Sequence, residues 1–158
     1  MIVYITLIPM LAGCGYFINK GSVNGNHYRY YLGSANTTNY QTTIKDILLE
    51  YGYHIDEYEQ DAFSSNMLTK WKVREPFPAE EDLGYLDAKT RIEINGLVIN
   101  NSYSQNGGFN YECYLRYRNL VYNGSEYIEF YDSPTLNNNI ESMVADIRKA
   151  LLLNEKIL

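Results

Sequence analysis

Apolar and polar positions fall into three regimes along this chain. Residues 1–13, "MIVYITLIPMLAG", are an apolar run without a charge, and residues 14–40 follow no period and are rich in Gly, Ser and Asn. From residue 41 onward the spacing becomes regular. Ile44, Ile47, Leu48 and Tyr51 fall at i, i+3, i+4 and i+7, which predicts a helix over 42–52 with one apolar face. Thr42 or Thr43 is placed to cap its start, and Gly52 stands where a left-handed C-cap is wanted.

Alternation then predicts strands. "YHIDEYE" reads as a first strand, and "NMLTKWKVREPF" as a second, with Thr69, Trp71 and Val73 on one face and Lys70, Lys72 and Arg74 on the other. In "AKTRIEINGLVIN", Ile92 and Ile94 share a face, and Gly96 predicts a bulge that turns Leu97 and Ile99 inward. "FNYECYLRYRNLVY" sends Tyr111, Cys113, Leu115 and Tyr117 inward and Glu112, Arg116 and Arg118 outward; "SEYIEFYD" is a short last strand. The connections "NSYSQNGG" and "NGS" carry hairpin residues, so the strands are expected to pair antiparallel. Asp132-Ser133-Pro134 offers a helix start, and Ile140, Met143, Val144, Ile147, Ala150 and Leu151 form the stripe of a second helix. The expected fold is α+β: an antiparallel sheet of four to five strands, with two amphipathic helices packed on its apolar face in the order helix, strands, helix. The expected division is a leader at 1–13, a flexible tether over 14–40 and a single domain over 41–158.

Composition narrows the function classes. At 158 residues there is room for one domain with a real core. A net charge of −6 without a basic stripe argues against a nucleic-acid partner, and against attraction of the domain body to an anionic membrane. The 17 tyrosines, against 5 phenylalanines, suit sheet faces that keep hydroxyls in water.

The opening run, at 13 residues, is shorter than the roughly 20 that span a bilayer core. It has the length of a signal-peptide apolar region, and Ala12 and Gly13 are small residues of the cleavage-site kind. An uncleaved anchor continuing through Ile18 and a buried strand are the rival readings. Leu11-Ala12-Gly13-Cys14 resembles the lipobox of bacterial lipoproteins; the first basic residue, Lys20, comes later than such signals usually have one. The resemblance implies that Cys14 becomes the first mature residue, with diacylglycerol on its thiol and an acyl chain such as palmitate on its amine. Several chains together hold a protein on a membrane where one does so only marginally. It also implies an envelope location, with Gly15 compatible with the outer membrane on its periplasmic side. Cys113 would then be a buried thiol without a partner; in an exported, uncleaved chain the two cysteines could instead pair.

Catalytic chemistry is not legible in this sequence. His27 and His54 fit no metal-ligand spacing, and no nucleophile elbow or phosphate-cradling loop occurs, so no catalytic residue, metal or cofactor is expected. Glu80, Glu81 and Asp82 are the densest carboxylates and the place where an enzyme, the third reading, would do its work. Lys70, Lys72, Arg74 and Arg116 are the candidates for a partner-binding surface on the wet sheet face, with Arg91, Glu93 and Glu112 beside them.

The run "LLEYGYHIDEYEQDAFSSNMLTKWKVRE" is similar in pattern to the helix-grip domains of an accessory lipoprotein of the outer-membrane β-barrel assembly machinery, over about 42–154. That resemblance implies an accessory role in assembling envelope components and carries over no functional residue. The first functional expectation is therefore a membrane-anchored, non-catalytic interaction module with an envelope protein as partner. The second is a lipid or small-ligand carrier with a pocket between helices and sheet, lined by Tyr, Trp71 and Leu side chains.

Overall fold

The computed structural model describes residues 29–103 and 108–155, so the expected leader, Cys14 and residues 15–28 lie outside the described residues. In chain order, β1 is Arg29–Asn36, and a continuous helix α1 follows as Thr37–Asn39, a π-helical Tyr40–Ile44 and Lys45–Glu50. Next come β2 (Ile55–Gln60), β3 (Ser64–Thr69), β4 (Lys72–Arg74), a short helix α2 (Pro78–Glu81), β5 (Asp87–Tyr103), β6 (Phe109–Tyr122), β7 (Tyr127–Glu129) and α3 (Pro134–Glu155). All pairings are antiparallel, in the order β1-β6-β5-β3-β2, with β4 also on β5 and β7 also on β6. The antiparallel α+β class expected from the alternation is what the chain adopts, with seven strands in the sheet.

The domain starts earlier than expected. Residues 29–40, expected as tether, supply β1 and the first turn of α1. Leu32, Ala35 and Tyr40 are all buried, so this stretch belongs to the core. Its two-residue period is hidden by a bulge between Tyr31 and Gly33 in the pairing with β6. Its polar residues have local tasks: the Asn36 side chain accepts from Asn39 N at 2.8 Å and caps α1, in place of Thr42 or Thr43. The order is thus strand, helix, strands, helix.

α1 ends as expected. Gly52 has φ +77, Tyr53 N donates to Leu48 O at 2.8 Å, and Gly52 N donates to Leu49 O at 2.9 Å. This is the Schellman pair of bonds, and Leu48 and Tyr53, which flank it, are both buried in one core.

Two expectations about faces are corrected. Gly96 makes no bulge: β5 and β6 stay in register from Asp87↔Tyr122 to Val98↔Tyr111, so Leu97 points out and is exposed. Gly96 instead admits the Tyr40 ring, since a Cβ there would lie 2.9 Å from Tyr40 Cε2. The Tyr40 hydroxyl shares its one proton between two backbone carbonyls, Ser65 O of β3 at 2.7 Å and Ile94 O of β5 at 2.9 Å. The second correction concerns "NMLTKWKVREPF", which is not one strand. Leu68 pairs with Glu93, but Lys72 pairs with Thr90, so four steps along one chain match three along the other. One extra residue reverses the facing of everything after it. Trp71 and Val73 therefore face outward, with Val73 66% exposed, while Lys72 and Arg74 turn toward the helices.

One face of the sheet carries the core. Ile92 and Ile94 of β5, and Tyr111, Cys113, Leu115 and Tyr117 of β6, are buried against Ile44 and Leu48 of α1 and Ile140, Met143 and Ile147 of α3. The expected inward residues of β6 and the stripe of α3 are thus found buried, with Ala150 only half-buried. Among the described residues, no helix is long and apolar enough to cross a membrane.

Candidate functional site

The face of the sheet opposite the helices is where the charged residues of β5 and β6 collect. Arg116 lies opposite Glu93 on one side and opposite Arg29 on the other, and in the next row Arg91 lies opposite Arg118. Like charges directly across strands repel, so two such pairs in adjacent rows cost stability unless anions reach them. Arg91 is answered by Asp56 at 3.3 Å and Arg118 by Glu129 at 3.0 Å. Arg29, Lys89 and Arg116 have no carboxylate partner among the described residues. Glu93 is occupied by Asn95 Nδ2 at 2.9 Å, and Glu112 by the Tyr114 hydroxyl at 3.1 Å.

Aromatic rings hold two of these cations in place. The Arg29 guanidinium sits 3.7 Å from the centre of the Tyr114 ring. Lys89 Nζ lies 3.8 Å from the Tyr127 ring centre and 5.2 Å from that of Trp71. A shallow depression of about 50 Å³ opens among Leu68, Arg91, Glu93, Arg116 and Arg118.

The four expected surface residues are therefore divided. Arg116 stands in the middle of the open face, and Lys70 is exposed in the break between β3 and β4, its N–H bonded to His54 O at 2.8 Å. Lys72 and Arg74 lie on the helix side of the sheet. The cations that replace them on the open face are Arg29, Lys89 and Arg118. Alternation along β5 and β6 marks Lys89 and Arg118, whereas Arg29 is hidden by the bulge in β1.

Lys72 and Arg74 line a cleft of about 260 Å³ between the end of α1, β4 and the first half of α3. Its other walls include Tyr51, Tyr53, Phe77, Ile140 and Met143; Trp71, expected to line such a pocket, is on the opposite face. Burial pushes the Tyr53 hydroxyl up to about 12, so it stays neutral at ordinary pH.

The carboxylate cluster also separates. Glu81 and Asp82 are exposed, while Glu80 is fully buried. Glu80 Oε2 accepts from Arg74 Nη1 at 2.6 Å and Phe77 N at 2.7 Å, and Oε1 accepts from Arg74 Nη2 at 2.8 Å and Asn119 Nδ2 at 3.2 Å. Burial alone would raise its pKa, but these donors outweigh burial and hold the carboxyl below its ordinary value. A carboxylate saturated in this way is a structural hub and has no lone pair aimed at a substrate. His54 is exposed and is not among its partners. No group of three or more His, Cys, Asp or Glu poised for a metal occurs among the described residues.

In comparisons with known proteins, the chain matches no family model and no curated protein.

Proposed function

We propose that this chain is a lipid-anchored, non-catalytic module of a bacterial envelope, held by an acylated Cys14, that docks an acidic segment of an envelope protein on the open face of its sheet. The outer membrane, facing the periplasm, is the location this reading takes. The observation that supports it is the facing of Arg116 onto Arg29, and of Arg91 onto Arg118, with Arg116, Arg29 and Lys89 lacking carboxylate partners among the described residues. An acidic partner relieves the Arg116–Arg29 repulsion, which no ion pair among the described residues answers, and Trp71, Val73 and Tyr127 beside the cations offer it apolar contact. The chain's overall charge of −6 makes this face the place where such a partner is least repelled.

Two experiments bear on it separately. Cys14→Ala should abolish acyl labelling and release the protein from the detergent phase; unchanged attachment sinks the anchor. A photo-crosslinker at Val73 in the native envelope should capture a protein adduct that Arg116→Glu weakens about tenfold or more. An adduct of undiminished yield in the Arg116→Glu protein sinks the docking face.

A further inference from the structure

The cleft on the other side of the sheet is a separate matter from docking on the open face. β4 sends Lys72 and Arg74 into the layer where the sheet buries mostly apolar residues, opposite Ile140 and Met143 of α3. The two cations are not equivalent. Arg74 is matched by the bidentate carboxylate of Glu80, at 2.6 and 2.8 Å. Lys72 has no carboxylate partner among the described residues. Its Nζ donates to Tyr51 O at 2.7 Å and lies 5.0 Å from the Tyr53 ring centre. An ammonium carries three donors, so Lys72 has capacity left beyond that carbonyl. Arg74, on the same wall, keeps an Nε–H that is buried without a hydrogen-bond partner. The cleft thus combines one positive charge without a carboxylate partner among the described residues, donor capacity left on Lys72, and walls of Phe77, Ile140 and Met143.

We propose that this cleft binds a small amphiphilic monoanion, a short acyl carboxylate, with its head on Lys72 and its chain along Phe77, Ile140 and Met143. Half-buried cations beside apolar walls lose hydration that an anionic head restores, and the chain takes up the apolar surface. At about 260 Å³ the cleft lies just under the ~300–1,000 Å³ of sites for drug-sized ligands, so it suits one short chain and excludes a diacyl lipid.

Calorimetric titration of the full chain with octanoate, octan-1-ol and octyltrimethylammonium tests this. Octanoate should saturate one site, the alcohol should bind about tenfold more weakly or worse, and the cationic chain should not bind. Lys72→Met should weaken octanoate about tenfold, Lys72→Arg should restore most of the affinity, and Asn139→Trp, on the exposed rim, should block the cleft. Absence of saturable octanoate binding overturns the proposal, as does equal affinity for the alcohol. Unchanged affinity in a folded Lys72→Met protein overturns it too. If Lys72→Met fails to fold, the three-ligand comparison on the unaltered chain and the rim variant still decide.

Discussion

Replacing Glu80 by Gln should destabilise the domain by about 2–3 kcal/mol, out of a total that for domains of this kind is about 5–15 kcal/mol. Glu80 is fully buried and takes four hydrogen bonds, joining α2, β4 and β6 through Arg74, Phe77 N and Asn119. Deleting one partner of a buried ion pair costs about 3–5 kcal/mol, because the other charge is left uncompensated. Two features pull this case toward the low end. Gln keeps one carbonyl acceptor, and Arg74 still reaches Glu75 O at 3.0 Å and Asn119 Oδ1 at 3.1 Å. Urea unfolding followed by the fluorescence of Trp71, the single tryptophan, gives the number directly. The pH dependence supplies a second reading. The folded pKa of Glu80 is depressed, so its contribution is present above the unfolded carboxylate value, about 4.3, and is lost as pH falls through the folded value. Wild-type stability should therefore fall more steeply than that of Glu80→Gln below about pH 4. The double variant Arg74→Met/Glu80→Leu should be less destabilised than Glu80→Gln, since it removes the stranded charge as well. A loss under about 0.5 kcal/mol for Glu80→Gln, or parallel pH curves, refutes the assignment of Glu80 as a structural hub.

Three further outcomes follow from the packing. Gly96→Ala places a methyl 2.9 Å from the Tyr40 ring and 3.2 Å from Tyr111 Cβ, and should cost about 1–3 kcal/mol in the same unfolding assay; a neutral result would show that Tyr40 is free to move. A chain shortened to start at Gln41 loses β1 and the buried Leu32, Ala35 and Tyr40, and should give no cooperative melt, whereas one starting at Arg29 keeps them and should melt cooperatively. Cys113 is fully buried, and burial pushes its thiol up to about 12, so in the Cys14→Ala protein Ellman's reagent should react with it only as fast as the domain opens; rapid reaction of that folded protein contradicts its placement.

How much of this is legible in the sequence depends on whether one period runs unbroken. In β6 it does, and Tyr111, Cys113, Leu115 and Tyr117 stand where alternation puts them. In α3 the stripe from Ile140 to Leu151 is equally uninterrupted, and all of it but the half-buried Ala150 is buried as expected. Two of the failures sit at single-residue irregularities. The bulge between Tyr31 and Gly33 disguises β1 as tether, and so hides Arg29 from the open face. The extra residue between Leu68 and Lys72 exchanges Trp71 and Val73 for Lys72 and Arg74. Gly96 has the look of such an irregularity and is none, because its missing side chain serves a ring arriving from α1, a contact with no signature near it in sequence.

The extra residue between β3 and β4 also opens the cleft and sets the apolar residues of the open face. Had β3 run straight on into β4, Lys72 and Arg74 would have joined Arg91, Arg116 and Arg118 outside, and Trp71 and Val73 would have met α3 in the core. The open face would then hold two more cations and lose its tryptophan, and the space under α3 would hold an indole where the cleft now lies. Displacing the strand by one residue gives the outer face its tryptophan beside Lys89 and gives the inner layer two cations, of which Glu80 matches one. A deletion that restores the straight register, such as loss of Lys70, should therefore abolish octanoate binding and the Val73 adduct together. Substitutions at Arg116 or Lys72 should remove only one of the two, and that difference in pattern identifies the bulge as what places both Val73 and Lys72.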